Sequence, residues 1–377
     1  MRILHTADWH IGKIVNEFSM FEDQEIVLNA LVDKVKELDV DILIMAGDLY
    51  DRAIPPKEAV SLANNIFNRL IKEAGVSVLT IAGNHDSNER LEYGSELLAG
   101  SQLYIEGTVK KDVRKVTIDN VNFYLLPFAD HITIRQILED ETIKDLQDAT
   151  RAQIESIKAE MDPDEVNILI AHGYIVNGVK ESVEASDSER PLSIGTAEYV
   201  DVNLFDDFDY VALGHLHKAQ KVKSQRVRYS GSPLKYSKSE TRHKKQHVLL
   251  DINKDTFKVE MIEVKPERDM RVLKGTFEDL MQGESRDYIF FELEDKNYVM
   301  DAMNQLRRRY PYAMGLEYTA QKTRQEWIQN TKQEALGKRS LLDLFGDFYF
   351  EYKQEPLDDN QSEAIQKTWN QALKGEK

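Results

Sequence analysis

The first half of the chain alternates short, continuously apolar segments with segments of helical periodicity, and this alternation constrains the fold more than any other feature. The pattern predicts strands at residues 2–6, 41–46 and 76–82, and helices at 21–38 and 57–74. Strands that are apolar at every position are typical of a sheet covered on both faces. The order strand, helix, strand, helix, strand therefore predicts an α/β layered domain.

The later part of the chain is more mixed. A hairpin is predicted around Asp119-Asn120, then one long charged helix over 134–160 and a long polar loop over 177–199. Further strands are predicted at 166–171, 210–213, 227–230, 246–252 and 257–263. A linker near 265–268 precedes a small unit with a strand (288–293), a helix (297–309) and a strand (313–318). We therefore expect domains at 1–265 and 266–320, and a linker with a helical segment at 321–377.

Composition excludes several classes of protein. The 377 residues include no cysteine, which rules out disulfides, a thiol nucleophile and thiolate metal ligands, and is compatible with a cytoplasmic location. No apolar run approaches the ~18 residues of a membrane span, and the N-terminus lacks a signal-peptide pattern. The formal net charge of −17 argues against nucleic-acid binding over the whole surface.

Polar clusters follow five of the predicted strands. Sites in open α/β sheets form beyond the carboxyl ends of the strands, so these clusters can converge. Asp8 and His10, like His215 and His217, are two residues apart, and in extended segments each pair would point the same way. The candidate metal ligands are Asp8, His10, Asp48, Asn84, His172, His215 and His217.

Oxygen and nitrogen ligands without sulfur suit Mn²⁺, Fe or Zn²⁺. Seven ligands are too many for one tetrahedral ion and suit two ions about 3.5–4 Å apart, with Asp48 as the bridging carboxylate. The glycines before Asp48, Asn84 and His215 would allow tight turns. Two ions would neutralise a phosphodiester and lower the pKa of a water molecule toward neutrality.

His85 follows the ligand Asn84 and is placed to protonate the leaving group, with Asp51 or Asp86 orienting its imidazole. Each motif alone has an ordinary structural explanation as a turn or a buried histidine. Their order and their positions at strand ends favour a metal site. The other histidines lack this context and are interpreted as structural or surface residues: His5, His131, His243 and His247.

In this order, D-x-H, G-D-x-x-D, G-N-H-D, a lone His and G-H-x-H resemble the calcineurin-like metallophosphoesterase superfamily. Within it the chain most resembles the SbcD family of bacterial nuclease subunits, through M-R-I-L-H-T-A-D-W-H-I-G, A-G-D-L-Y-D-R-A-I-P-P, A-H-G and G-H-L-H followed by Y-S-G-S-P. The resemblance covers nearly the whole chain. It implies a two-sheet layered domain flanked by helices, a small α+β capping domain and a C-terminal helical segment.

The resemblance also implies roles for the site residues. Asp8, His10, Asp48 and His217 would hold one metal ion. Asp48, Asn84, His172 and His215 would hold the other, and His85 would be the catalytic histidine. Ala53 and Asp86 depart from the G-D-x-x-D-R-G and G-N-H-E motifs of protein serine/threonine phosphatases, which weakens that alternative.

A basic stretch directly follows the last ligand motif. Residues 218–247 carry ten Lys or Arg and one acid, Glu240, and could contact a phosphate backbone or form an ordinary solvated face. The candidate DNA contacts are Lys218, Lys221, Lys223, Arg226 and Arg228. Arg307 to Arg309 are either a C-terminal complement to a helix dipole or flank the DNA path.

The terminal segment is rich in large apolar side chains. It either docks on its own domain or binds a partner as a helix in a groove. By the resemblance, that partner would be an SbcC-type coiled-coil ATPase. The chain has no P-loop, so ATP would be bound by the partner. The candidate partner-binding residues are Leu341, Leu344, Phe345, Phe348 and Tyr349.

The sequence thus predicts a nuclease subunit for DNA recombination and repair that uses two divalent ions, with Mn²⁺ favoured over Fe²⁺ or Mg²⁺. By resemblance it would be a 3′-to-5′ exonuclease on duplex DNA and an endonuclease on single strands or hairpins. It would act as a homodimer within a heterotetramer, in the cytoplasm and on the nucleoid. The alternatives are a small-substrate phosphoesterase or protein phosphatase, and a DNA-binding scaffold.

Overall fold

The computed structural model describes residues 1–178, 183–189 and 199–319, together with 345, 346, 349, 357, 358, 361, 362 and 364–367. Two six-stranded sheets dominate these residues. In the first sheet the strand order is Phe257–Glu263, Gln246–Ile252, Arg2–Thr6, Ile42–Met45, Ser77–Ile81, Leu103–Glu106. In the second sheet it is Gln220–Val222, Ser224–Tyr229, Tyr210–Gly214, Val166–His172, Val121–Leu126, Arg114–Ile118.

The inner strands of both sheets are parallel. Arg2–Thr6 pairs in parallel with Ile42–Met45, and Tyr210–Gly214 pairs in parallel with Val166–His172. Gln246–Ile252 runs antiparallel to Arg2–Thr6. The carboxyl ends of the parallel strands therefore lie on one edge of each sheet, where sites form in open α/β folds.

Alternate side chains of each strand enter different layers of the core. Leu43 and Met45 pack with the helices Phe21–Glu37 and Lys57–Lys72. Ile42 and Ile44 pack against the second sheet. Because both faces of the strand are covered, each residue in it is apolar, as the continuous apolar run predicts.

The second sheet is covered on its other face as well. Leu169 and Leu213 pack with Ile154 and Ile157 of the helix Leu146–Glu160. The layers are therefore helices, sheet, sheet and helix, which confirms the predicted α/β class and the two-sheet layered arrangement.

The remaining elements are short. Three strands after residue 265 form a third sheet in the order Met270–Gly275, Tyr288–Leu293, Ala313–Tyr318. Two-stranded pairs join Ile14–Val15 with Phe18–Ser19, and Tyr174–Val176 with Tyr199–Asp201. The other helices are Asn88–Glu92, Ser95–Ala99, His131–Leu138, Phe277–Leu280 and Ala302–Arg307, with 3₁₀ turns at Val202–Phe205 and Lys238–Arg242.

By compactness the described chain divides into two units. The first comprises Met1–Leu273, Glu284–Phe290 and Gln305–Gly315, and contains both large sheets. The second takes Lys274–Gly283, Phe291–Asn304 and the described residues from Leu316 onward. The domain boundaries expected at 265 and 320 stay predictions. None of the helices in the described part of the chain is long and apolar enough to cross a membrane.

The single helix predicted over 134–160 is wrong, because the chain forms two helices there. His131–Leu138 ends at Glu139, whose backbone is left-handed (φ 55°). Leu146–Glu160 begins at Asp145, whose Oδ1 accepts from the backbone N–H of Asp148 at 2.9 Å. An N-cap carboxylate satisfies backbone donors that a continuous helix would not leave open, and so favours a new helix start.

The apolar stripe predicted for the first helix includes one residue that the structure leaves outside. Ile26 is 38% exposed, whereas Leu28, Leu31 and Val35 are buried. The helix places Ile26 beside its polar face, so its apolar character does not indicate burial.

We expect Ile44→Ala to lower the free energy of unfolding by about 2–5 kcal/mol, because the strand residue is fully buried between the sheets and leaves a cavity. The matched change Ile26→Ala should alter stability by no more than about 0.5 kcal/mol. Urea unfolding of both variants measures the difference. Equal losses would contradict this layered packing.

Candidate metal centre

The structure brings the seven predicted ligands to one edge of the two large sheets. Asp8 and His10 follow Arg2–Thr6, Asp48 follows Ile42–Met45, and Asn84 follows Ser77–Ile81. From the second sheet, His172 ends Val166–His172, and His215 and His217 follow Tyr210–Gly214. The cluster thus combines side chains from both sheets, and all seven come from the first unit.

The backbone of this edge is strained. Four of the ligand residues have left-handed backbones, with φ of 55° at Asp8, 46° at His10, 56° at Asp48 and 106° at His215. Non-glycine residues adopt such angles rarely, and they persist where surrounding structure imposes them. The prediction that Asp8 and His10 lie in an extended segment is wrong. Their side chains converge because the backbone turns sharply at both residues.

One part of the cluster joins Asp8, His10 and His217. Nε2 of His10 lies 3.0 Å from Nε2 of His217, so two buried ring nitrogens face each other. Asp8 uses Oδ1 to accept from the backbone N–H of His215 at 2.9 Å, while its Oδ2 is buried without a hydrogen-bond partner. Possible ligand atoms of these three residues lie within 4.8 Å of one another. Converging acceptors of this kind fit a cation.

The other part joins Asn84, His172 and His215. Oδ1 of Asn84 lies 3.0 Å from Nε2 of His172 and 3.1 Å from Nδ1 of His215. The second ring nitrogen of His172, Nδ1, lies 2.9 Å from the carbonyl oxygen of Ala46. A hydrogen bond of that kind sets the tautomer and directs Nε2 into the cluster.

Asp48 connects the two parts. Its Oδ2 lies 3.6 Å from Nε2 of His10 and 3.5 Å from Nε2 of His172. Its Oδ1 accepts from the backbone N–H of His85 at 2.8 Å, which holds the carboxylate in place. The donor set of carboxylates, an amide and imidazoles, with one carboxylate between two groups of ligands, fits a dinuclear site.

A second layer of buried polar groups orients His217. Glu240 Oε1 lies 3.1 Å from Nδ1 of His217, and Glu240 Oε2 forms an ion pair with Lys245 at 2.5 Å. Glu189 accepts from the backbone N–H of His217 at 2.7 Å. Sequence reasoning missed these groups. The only signal was Glu240 itself, the single acid in the basic stretch.

His85 lies at the margin of the cluster. Its ring is 4.6 Å from the ring of His10, and its Nδ1 lies 2.9 Å from the carbonyl oxygen of Asp51. The Asp51 backbone therefore orients this imidazole, and the Asp51 carboxylate pairs instead with Lys13 at 2.7 Å. Asp86 has a different role. Its carboxylate accepts from the backbone N–H groups of Leu49, Tyr50 and Gly83, which ties two ligand loops together.

Two glycines allow the loops to approach. A Cβ on Gly83 would overlap Oδ1 and the backbone N of Asp48, and a Cβ on Gly214 would overlap the carbonyl oxygen of Ala46. Neither glycine has a positive φ, so the tight turn expected at these positions is not what requires them. They are required because neighbouring chains pass too close for a side chain.

Burial and neighbouring charges set the protonation of the ligands. Burial lowers the pKa of His215 to about 3 and the pKa of His10 well below its usual range, so both are neutral donors. Burial raises the pKa of the Asp8 carboxyl to about 7. Burial opposes protonation of His172, but the Asp48 carboxylate raises the pKa of this imidazole to about 9 overall. A metal ion would therefore displace protons from this site.

The histidines interpreted as structural or surface residues lie outside the cluster. His5 is buried between the sheets, where it contacts the hydroxyl of Tyr210 and the carbonyl oxygen of Leu213. His247 is buried too, and burial lowers its pKa to about 4. His243 pairs with Glu184 at 3.0 Å.

The basic stretch starts at the cluster and then leaves it. Lys218 pairs with Glu184, and Lys221 is exposed on the next strand. The register pairs Val211 with Val227, which puts Lys223 and Arg226 at the far end of the sheet, about 13 Å from His215 at 3.3 Å per residue. Both are paired with acids there, Lys223 with Asp206 and Arg226 with Asp209.

Arg228 does not lie on the surface. It is only 8% exposed, and its guanidinium contacts the sulfur of Met261 in the neighbouring sheet. The prediction that Arg228 contacts DNA is therefore wrong, because alternate residues of a strand face opposite sides of the sheet.

Most of the predicted partner-binding segment falls outside the described residues, including Leu341, Leu344 and Phe348. Phe345 is 40% exposed, and the Tyr349 hydroxyl accepts from Nε2 of Gln361 at 3.3 Å. Binding of a partner by this segment stays a prediction.

Comparisons with known proteins agree with this geometry. Residues 1–219 match the model of the calcineurin-like phosphoesterase family, and residues 266–352 match a model described as type 5 capsule protein repressor C-terminal domain. Over 373 residues the chain is 36% identical to the SbcD subunit of the nuclease SbcCD from Staphylococcus saprophyticus, an alignment that covers 97% of each chain.

Two solved structures are also similar. One is a Thermus thermophilus protein, with a TM-score of 0.42 and 14% identity over 70% of this chain and 99% of that one. The other is a dimetal phosphatase from Danio rerio, with a TM-score of 0.43 and 13% identity over 70% of this chain and 96% of that one.

We expect Mn²⁺ affinity to fall as pH falls. Below pH 9 the ion must displace a proton from His172, and below pH 7 also one from Asp8. The association constant should drop about tenfold per pH unit between 9 and 7, and more steeply below 7. Calorimetric titration in buffers of different ionisation enthalpy counts the released protons. Binding without proton release would contradict the site.

Gly83→Ala should weaken Mn²⁺ binding by tenfold or more, because the new Cβ displaces the Asp48 carboxylate. It should also cost about 1–3 kcal/mol of stability through overpacking. Gly100→Ala is the matched control, because its Cβ would meet only the carbonyl oxygen of Leu97 at 3.5 Å. Unchanged Mn²⁺ affinity in a folded Gly83→Ala protein would disprove this account of Asp48.

Proposed function

Because the chain belongs to the calcineurin-like phosphoesterase family, and within it to the SbcD nuclease subunits, we propose that it is a metal-dependent DNA nuclease that hydrolyses phosphodiester bonds. The observation that carries this proposal is the position of Asp48 Oδ2 between His10 and His172, with His85 held beside the same carboxylate. A bridging carboxylate between two sets of nitrogen and oxygen ligands suits two-metal phosphoester hydrolysis.

In this proposal Asp8, His10, Asp48 and His217 hold one ion. Asp48, Asn84, His172 and His215 hold the second, and Mn²⁺ is the ion we favour over Fe²⁺ or Mg²⁺. When bound, the two ions would neutralise the phosphate and make a water molecule more acidic. Glu240 keeps His217 in the orientation needed for ligation, by accepting from its Nδ1.

His85 supplies the proton that the leaving oxygen needs. The carbonyl oxygen of Asp51 accepts from its Nδ1–H, so the imidazole presents Nε2 as the proton-carrying atom. The backbone N–H of His85 is bonded to the Asp48 carboxylate at 2.8 Å, which fixes the distance between the acid and the metal ligands. Asp51 is therefore a positioning residue for His85 rather than a catalytic one.

DNA requires positive charge on an acidic protein, and one cavity provides it. Three exposed cations line a cavity of about 530 Å³ next to Lys245: Arg242, Lys244 and Lys265. Glu263 and Asp269 share its wall, so the cations are only partly offset. We add these three residues to Lys218 and Lys221 as proposed contacts to the DNA backbone.

The finer parts of the proposal concern polarity and assembly. We propose 3′-to-5′ exonuclease activity on duplex DNA and endonuclease activity on single strands or hairpins, in recombination and repair in the cytoplasm. We also propose a homodimer that joins an SbcC-type ATPase through the C-terminal segment. These parts are supported by similarity over 97% of the chain to a protein named as a subunit of such a nuclease.

Purified protein with Mn²⁺ should degrade end-labelled linear duplex DNA, and a chelator should stop it. His85→Ala should reduce the rate about 10²–10⁴-fold, the usual contribution of a general acid, while Mn²⁺ affinity stays within about threefold. Asp48→Asn should abolish both cleavage and Mn²⁺ binding. His131→Ala, outside the cluster, serves as the matched histidine control.

A chromogenic phosphodiester run alongside separates the alternatives. Rapid turnover of this small ester with no DNA cleavage, with or without the ATPase subunit, would reject the nuclease in favour of a small-substrate phosphoesterase.

A further inference from the structure

A second cavity, of about 410 Å³, opens beside the metal ligand Asn84. Its wall includes Asn84 after the strand Ser77–Ile81, Thr108 after Leu103–Glu106 and Phe128 after Val121–Leu126. These strands all end at the edge that carries the metal centre. The volume falls within the range of small-molecule sites, and the position is next to the reacting phosphate.

The inner wall of this cavity is apolar and includes one aromatic ring. Val109, Phe128, Ala129 and Ile137 line it. The ring of Phe128 lies 6.4 Å from the ring of His172, with the planes 74° apart. The cavity therefore extends from a metal ligand to an aromatic surface with no intervening element.

The rim carries negative charge. Glu89 and Asp130 lie there, and no Lys, Arg or His is found among the described residues that line the cavity. Such a wall disfavours a phosphate. It suits an uncharged planar group whose N–H donors meet carboxylates at its edge, which is the chemistry of a nucleobase.

The backbone around Phe128 is held before any ligand binds. Nδ2 of Asn88 donates to the carbonyl oxygens of Gly107 at 2.6 Å and of Phe128 at 2.9 Å. The backbone N–H of Phe128 donates to the carbonyl oxygen of Ala82 at 2.9 Å, which joins the two sheets. A preformed wall reduces the entropy lost on binding.

We propose that this cavity holds the nucleobase of a nucleotide next to the scissile phosphate, stacked on Phe128. The inference rests on the proposed nuclease function and deepens it. The phosphate would lie at the metal centre while the base enters the cavity past Asn84. Stacking on an aromatic ring tolerates every base, so the cavity would demand a base without selecting a sequence.

The first test measures binding without cleavage. The Mn²⁺-loaded full chain should bind 2′-deoxyadenosine 5′-monophosphate about tenfold more tightly than 2-deoxyribose 5-phosphate, because only the former has a base to stack. Phe128→Leu should bring this ratio close to one, and Phe128→Tyr should keep most of it. Phe257→Leu, the same change at a half-buried ring on another edge, should keep the full ratio.

The second test measures cleavage of duplexes with an abasic unit on one or the other side of the scissile phosphate. Wild-type protein should cleave one of them about tenfold more slowly than the intact duplex, and Phe128→Leu should narrow that difference. A double-mutant cycle between the base and Phe128 isolates their interaction from any effect of Phe128 on His172.

A binding ratio of one in the wild type would overturn the base site, even if DNA is cleaved well. A ratio that stays at its wild-type value in Phe128→Leu would overturn it as well. Failure to cleave any DNA while the binding ratio holds would reject the nuclease and leave a nucleotide-binding phosphoesterase. The failures of the two proposals are thus distinguishable.

Discussion

The site depends on the placement of one carboxylate. Asp48 sits on a left-handed backbone (φ 56°) at the end of a central strand, with Oδ1 held by the N–H of His85 and Oδ2 directed between His10 and His172. The chain can place it there only because Gly83 has no side chain at the point of closest approach. The ligands on either side are therefore referred to one fixed group.

That arrangement is costly for the folded chain. Buried imidazoles and carboxylates lose hydration, and Asp8 Oδ2 finds no hydrogen-bond partner. The surrounding layers offset this cost. Glu240 and Lys245 form a buried ion pair behind His217, and the apolar layers above and below the two sheets hold the strand ends in place. Bound ions would compensate the remaining charge, so folding and metal binding are coupled.

Charge is distributed around the site in the same sense as its chemistry. The cavity with Arg242, Lys244 and Lys265 suits a phosphate backbone, and the cavity beside Phe128 suits an uncharged base. The two surfaces lie in the same unit as the metal centre. A chain with a net charge of −17 can thus attract a polyanion locally while its other surfaces repel it.

Local sequence patterns determined the layers and the identity of the candidate ligands. Continuous apolar strands require two covered faces, and polar residues after strand ends are brought to one edge by parallel pairing. Only the tertiary structure decided how these side chains converge. The left-handed turns at Asp8 and His10, the orientation of His85 by the Asp51 carbonyl, the burial of Arg228 and the Glu240–Lys245 pair all depend on contacts between residues far apart in sequence. Periodicity describes which face a residue occupies within its own element, and it carries no information about what the neighbouring element places opposite.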